Sequence, residues 1–319
     1  MTKKQKQTRE ESRRFSNKQL VIVSIVVVSI IVSGSMLSFW LTKAPEAKFP
    51  LKAIIIDQLG KEPEFLNASF VNSATDVLKS SGFNVTYYNQ TIDVDFYRNL
   101  AKSGYGIIIL RAHTALREDN STVDIFTSEE FVNGKYQSEL ENGQLTKGEF
   151  LYYRLLNKPE KFFFAITSRF IDNLDGRFPT SIVIAMGCWS LKPGLDDKMP
   201  KAFINKGAVA YIGWTDLVLA PDTDAETLKL LKLLLVENRT LSDAVAITSS
   251  YKYTANDTKN KQLITLTTKL RSYPSEVDSL KVSTLINEAR AAMIFQNNPS
   301  VAVNFKGVER GPRKKSFPF

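Results

Sequence analysis

The chain has almost none of the side chains that hold metal ions or staple extracellular domains. Among 319 residues there is one cysteine, Cys188, and one histidine, His113. A Cys/His zinc site within one chain is therefore excluded, and so is an intramolecular disulfide. There is no Walker A sequence, no G-x-G-x-x-G after an apolar run and no G-x-S-x-G elbow, which removes the usual phosphate-cradling and serine-hydrolase signatures. No cofactor and no metal is expected. A basic stripe is missing too. The net charge is +9, but residues 1–19 (seven Lys/Arg, two Glu) and residues 306–319 (five Lys/Arg, one Glu) carry all of it. The body between these tails is neutral, and nucleic-acid binding loses its electrostatic basis.

What the chain does have is one long run without charge. Leu20 to Leu41 is 22 residues rich in Val and Ile, closed by Phe39 and Trp40. At about 1.5 Å per residue this spans roughly 33 Å, enough for a hydrocarbon core of about 30 Å. The alternative is a cleaved signal peptide, but the run exceeds the usual apolar region of about 7–15 residues and ends in bulky side chains. Seven Lys/Arg precede it and Lys43, Lys48 and Lys52 follow. The expected orientation keeps residues 1–19 in the cytoplasm, with the span at 20–41 in the cell membrane. Everything from about residue 42 is then extracytoplasmic. Six N-x-S/T sequons, at Asn67, Asn84, Asn89, Asn120, Asn238 and Asn256, fit a glycoprotein so placed.

With 43% hydrophobic residues the body can bury a sizeable core. After a linker over 42–50, Leu51–Asp57 reads as a first strand, Asn84–Tyr88 as a second and Gly106–Arg111 as a third, with helical spacing between them. The stretch from about 116 to 180 reads as an insertion, with hairpin signals at Asn133-Gly134 and Asn142-Gly143 and an apolar run at Phe162–Ile166. Ile182–Met186 and Ala208–Gly213 are the fourth and fifth strands. A capping-box pattern at Thr223 and Glu226 opens a leucine-rich helix. Segments near 242–251, 260–271 and 278–296 look helical, giving a helical extension over 251–305 before the basic tail. Strands alternating with helices, apolar on both faces, predict an α/β domain over 51–250 with a mainly parallel sheet covered on both sides.

In such sheets ligands bind beyond the carboxyl ends of the strands. His113 follows the third strand and Cys188 the fourth, so both unique residues fall on that edge. A thiolate is a nucleophile, and an imidazole beside it can take its proton and then protonate a leaving group. Taken singly, each residue is as readily structural, Cys188 as a small buried hydrophobe; their shared placement favours chemistry.

The order strand-then-His, strand-then-Cys, with IVIAMGC ending in the cysteine and GAVAYIGWTD followed by DTDAETLKLL, resembles the caspase–gingipain type (clan CD) cysteine peptidases, including the CHAT and gingipain-like branch, over about residues 51–250. The resemblance implies a caspase-haemoglobinase-like fold and a cysteine endopeptidase acting on peptide or protein outside the cell. His113 would be the general acid/base and Cys188 the nucleophile, with the backbone N–H groups of Cys188 and Thr114 as oxyanion donors. The family has Gly at the place of Thr114. Trp189, Trp214, Thr215, Asp216 and Asp224 would bind substrate. The acidic residues Asp216, Asp222 and Asp224 suit a basic side chain there, or form a solvated loop and helix cap. Asp57 would orient groups in the cleft or close a strand. The alternative function is a catalytically inactive domain of the same fold that binds peptides or a protein partner at the cell surface.

Overall fold

The computed structural model describes residues 49–117, 119, 121–150, 159–195, 197–256 and 263–297. The expected span at 20–41 and the tails 1–19 and 306–319 lie outside them. Among the described residues no helix is long and apolar enough to cross a membrane.

A six-stranded sheet forms the centre. Its strands are β1 (Lys52–Asp57), β2 (Asn84–Tyr88), β3 (Ile107–Arg111), β8 (Ile182–Ala185), β9 (Ala210–Trp214) and β12 (Leu270–Tyr273), in the order β2-β1-β3-β8-β9-β12. The first five are parallel and β12 closes the edge antiparallel. Ile108 faces Val183 and Leu110 faces Ala185 in the β3–β8 register. The central strands are continuous apolar runs because both faces are covered.

On one face, Ile107, Ile109, Ile182, Ile184 and Met186 pack against α1 (Ala68–Ser80), α6 (Ala220–Leu235), α7 (Leu241–Ile247) and α8 (Val282–Asn297). On the other, Ile108, Leu110, Val183 and Ala185 pack against α2 (Val94–Leu100), α4 (Ser168–Asp172) and α5 (Lys198–Asn205). Local signals start several of these helices. The Asn67 side chain accepts the Phe70 N–H at α1, and Asp93 accepts the Phe96 N–H at α2.

The stretch expected as an insertion between His113 and Cys188 builds a second sheet. Strands β4 (Thr114–Leu116), β5 (Val123–Glu130), β6 (Leu145–Glu149) and β7 (Phe162–Ile166) pair antiparallel in the order β4-β5-β7-β6, with α3 (Gln137–Glu141) between β5 and β6. Ile125, Leu145, Phe164 and Ile166 join the same core as α2, α4 and α5.

Two expectations are corrected. The described residues of the expected helical extension, 251–256 and 263–297, are not all helical: β10 (Tyr251–Asn256) and β11 (Leu263–Thr268) form a two-stranded ribbon, β12 joins the main sheet, and α8 is the one long helix among them. The β-branched Ile and Thr residues of LITLTT prefer the pleated surface. Nor does the leucine-rich helix open at Thr223. It opens at Ala220, with Pro221 in the first turn, where its fixed φ suits a helix start.

Candidate functional site

Four parallel strands deliver chemistry to one edge: Asp57 ends β1 and Gln58 follows it, Arg111 ends β3 with His113 two residues on, Gly187 and Cys188 follow β8, and Thr215 and Asp216 follow β9. The loops after β3 and β8 touch directly. The Thr114 hydroxyl donates to the Cys188 carbonyl oxygen. A Cβ at Gly187 would lie 2.5 Å from Thr114 Oγ1 and 2.6 Å from the Ala112 carbonyl oxygen. Only glycine allows the two loops this close.

Thr114 itself is an extended residue in β4. In the β4–β5 ladder the Phe126 N–H donates to His113 O and the Arg117 N–H to Thr122 O. Bonded pairs alternate in an antiparallel ladder, so the N–H of Thr114 is turned away from β5, toward the open edge of the small sheet. The β-branched side chain thus sits without the positive φ that would strain it.

His113 is fixed through its main chain. Its N–H donates to Gln58 Oε1 at 2.7 Å, while Gln58 Nε2 donates to Thr127 O at 2.8 Å. The imidazole lies between Phe65 and Phe150, with ring centroids 5.6 and 4.0 Å away. Its Nε2 is buried and has no hydrogen-bond partner among the described residues. Burial, with the positive charge of Arg111 behind it, pushes the His113 pKa down to about 3. A cavity of about 160 Å³ adjoins the ring, lined by Gln58, Lys61, Ser128, Phe150, Lys161 and Phe163 among others.

Cys188 faces a different neighbour. Its thiol donates to the Val218 carbonyl at 3.5 Å and accepts the Val218 N–H at 3.5 Å. Burial raises the thiol pKa, the Val218 N–H offsets part of that, and the charge of Asp216 adds to it. His113 and Cys188 thus stand on contacting loops, but the thiol is bonded to Val218 rather than to the imidazole.

The other expected residues divide. Thr215 and Asp216 line an open groove of about 570 Å³ together with Lys192, Pro193, Ser250, Thr267 and Lys269. Trp189 is half-buried beside them, and its indole N–H donates to Asp216 Oδ1 at 2.7 Å. Asp222 accepts the Tyr253 hydroxyl. Trp214 and Asp224, expected to bind substrate, are instead buried at 0% and 3% exposure. Trp214 is fully buried and its indole N–H donates to Thr223 Oγ1 at 2.8 Å; the apolar ring contributes more in the core than at the rim.

Asp224 is buried against Arg111. Arg111 Nε and Nη2 donate to its two carboxylate oxygens at 2.7 and 2.8 Å, and Arg111 Nη1 donates to Asp57 Oδ1 at 2.7 Å. Asn67 Nδ2 and the Tyr87 hydroxyl bond the outer oxygens of Asp224 and Asp57 at 2.9 Å each. Asp57 accordingly closes its strand into an ion network under the site. Gln58, Phe65, Phe150 and Val218 escaped the sequence reading. Arg111 left one signal there: an arginine ending the run IIIL and an aspartate ending the run III are complementary strand ends.

Among the described residues no group of His, Cys, Asp and Glu is arranged to hold a metal ion. No protein-family model matches the chain, and no curated protein matches it.

Proposed function

We propose that the chain is a cysteine endopeptidase of the caspase–gingipain type, anchored in the cell membrane by residues 20–41 and acting on peptide or protein outside the cell. The observation that carries this is the contact between the His113 and Cys188 loops. The third and fourth strands of the main sheet in chain order, β3 and β8, are neighbours, and the residue after His113 bonds the carbonyl of Cys188. In the proposed reaction His113 takes the proton of Cys188, and the thiolate attacks the scissile carbonyl carbon. The N–H groups of Thr114 and Cys188 meet the developing oxyanion. The C–N bond breaks, His113 gives its proton to the leaving amine, and water then cleaves the thioester with His113 as base. Catalytic hydrogen bonds are often absent before substrate binds. Here the step from rest to reaction requires the thiol to leave Val218.

One observation favours the second reading, a catalytically inactive domain of this fold that binds peptide or a protein partner. The resting environment pushes the thiol pKa up and the imidazole pKa down, away from a thiolate–imidazolium pair. An electrophilic peptide probe separates the two, applied to the full-length chain in detergent, with and without limited proteolysis. The peptidase reading expects probe on Cys188 in wild type, and none above background in Cys188→Ala or His113→Ala. Neither labelling nor peptide cleavage above the Cys188→Ala control, across neutral pH, overturns it.

A further inference from the structure

The residue after Cys188 holds a backbone conformation that large side chains avoid. Trp189 has a φ of 55°, in the left-handed region where a bulky L-residue is strained. Asp216 holds it there from two directions. Its carbonyl oxygen accepts the Trp189 N–H at 3.0 Å, and its Oδ1 accepts the Trp189 indole N–H at 2.7 Å. The same Oδ1 accepts the Leu217 N–H at 2.8 Å, which aims the carboxylate at the indole.

Asp216 is itself secured. Its N–H donates to Thr268 Oγ1 at 3.1 Å, and neighbouring Thr215 exchanges two bonds of 3.0 Å with Lys269. On the far side of Trp189, Ser190 Oγ donates to Ala185 O at 3.0 Å and accepts the Trp214 N–H at 2.8 Å. A Cβ at Gly213 would lie 2.7 Å from that Ser190 oxygen. The turn is therefore fastened on both sides of its one strained residue.

We propose that Asp216 is a positioning residue: it clamps Trp189 in the left-handed turn that sets the Cys188 thiol against Val218, and it does not select substrate by its charge. The proposal rests on Cys188 being the reactive group of the site. Strain at a residue adjoining a reactive side chain persists only where the surroundings over-determine it, and the bonds to Asp216 supply that.

Alkylation of Cys188 by iodoacetamide in the full-length chain tests the clamp. With one cysteine in the protein, the rate reports this thiol alone. Asp216→Asn removes the charge and keeps an oxygen acceptor; its rate–pH midpoint is expected to fall slightly below wild type. Asp216→Ala removes the side-chain acceptor of the indole and Leu217 N–H groups as well and leaves Trp189 only the main-chain bond to the carbonyl of residue 216. Trp189 then leaves the left-handed region, the thiol parts from Val218, and alkylation is expected to run roughly tenfold faster than in Asp216→Asn. Adding Trp189→Gly to Asp216→Ala is expected to return the rate to that of Asp216→Asn, because glycine holds the same φ without strain.

Equal rates in Asp216→Ala and Asp216→Asn overturn the proposal, as does failure of Trp189→Gly to restore the rate. If Asp216→Ala does not fold, the isosteric Thr268→Val, which unseats the Asp216 N–H, decides in its place. It is expected to speed alkylation, and Trp189→Gly is expected to reverse that; an unchanged rate in Thr268→Val overturns the clamp. No peptide is cleaved in these measurements, so their outcome is separate from that of the probe experiment.

Discussion

The hydroxyl of Thr114 donates to the carbonyl oxygen of Cys188, and this one bond joins the ends of two neighbouring parallel strands. Its partner feature is the missing side chain at Gly187. A methyl there would overlap both Thr114 Oγ1 and the Ala112 carbonyl. Gly187→Ala is expected to lower stability by about 1–3 kcal/mol, as overpacking does. Adding Thr114→Ala is expected to recover only part of the loss, because the Ala112 overlap stays. Urea unfolding measures both; a change in Gly187→Ala within about 0.5 kcal/mol, as for an ordinary surface substitution, would mean that the loops are not packed as described.

Beneath those loops, Arg111 and Asp57 are both 0% exposed, and the side chain of Asp224 is 4% exposed. Removing the cation leaves two buried carboxylates without a counter-charge, held only by neutral donors such as Asn67 and Tyr87. Arg111→Met is expected to cost about 3–5 kcal/mol. Arg111→Lys is expected to be destabilised too, since one ammonium cannot reproduce a two-toothed contact with Asp224 and a separate bond to Asp57. Neutralising all three, with Asp57→Asn and Asp224→Asn added to Arg111→Met, is expected to regain much of the loss. Thermal and urea melts that rank the triple variant below Arg111→Met would refute this account.

The low pKa of His113, about 3, has a pH consequence with a definite sign. The unfolded chain binds a proton on this residue below about pH 6.5, and the folded protein does not until about pH 3. Stability is then intact above about pH 6.5 and falls as the solution is acidified toward pH 3. The slope from this one group is up to about 1.4 kcal/mol per pH unit. His113→Phe, which retains a ring between Phe65 and Phe150, is expected to lose less stability than wild type between pH 7 and pH 4. Parallel stability–pH curves for the two proteins would show that the imidazole is not held neutral.

Much of the main sheet was legible in sequence. Four of the five parallel strands, β1, β3, β8 and β9, carry uninterrupted apolar runs because both faces are covered, while the edge strand β2 (NVTYY) mixes polar residues in and stays partly exposed. Placing His113 and Cys188 just past strand ends followed from where those runs stop. Of the small sheet only the FFFAI run of β7 stands out in sequence, as a strand or a docking element; VDIFTSEE and LTKGE mix charge with apolar residues as short half-covered strands do. The β11 segment fits a helical period as well as a strand, because the leucines of QLITLTTKL stand three and then four residues apart while the threonines between them favour strand. Asp224 read as a surface acid because a carboxylate is seldom buried. Only the three-dimensional meeting with Arg111, 113 positions away in the chain, explains it. The bond from Asp216 to Trp189 spans 27 positions and left no pattern at all.

Gln58 places His113 at a mechanical joint. The chain leaves the large sheet at Arg111 and enters the small one at Thr114, with only Ala112 and His113 between. The Gln58 side chain ties that short passage to Thr127 in the small sheet, while its own N–H is anchored on Arg111 O at 2.9 Å. The main chain at His113 is therefore tied to both sheets through one glutamine, the large one at Arg111 and the small one at Thr127. Whatever fixes Gln58 thus also fixes where the imidazole stands between Phe65 and Phe150.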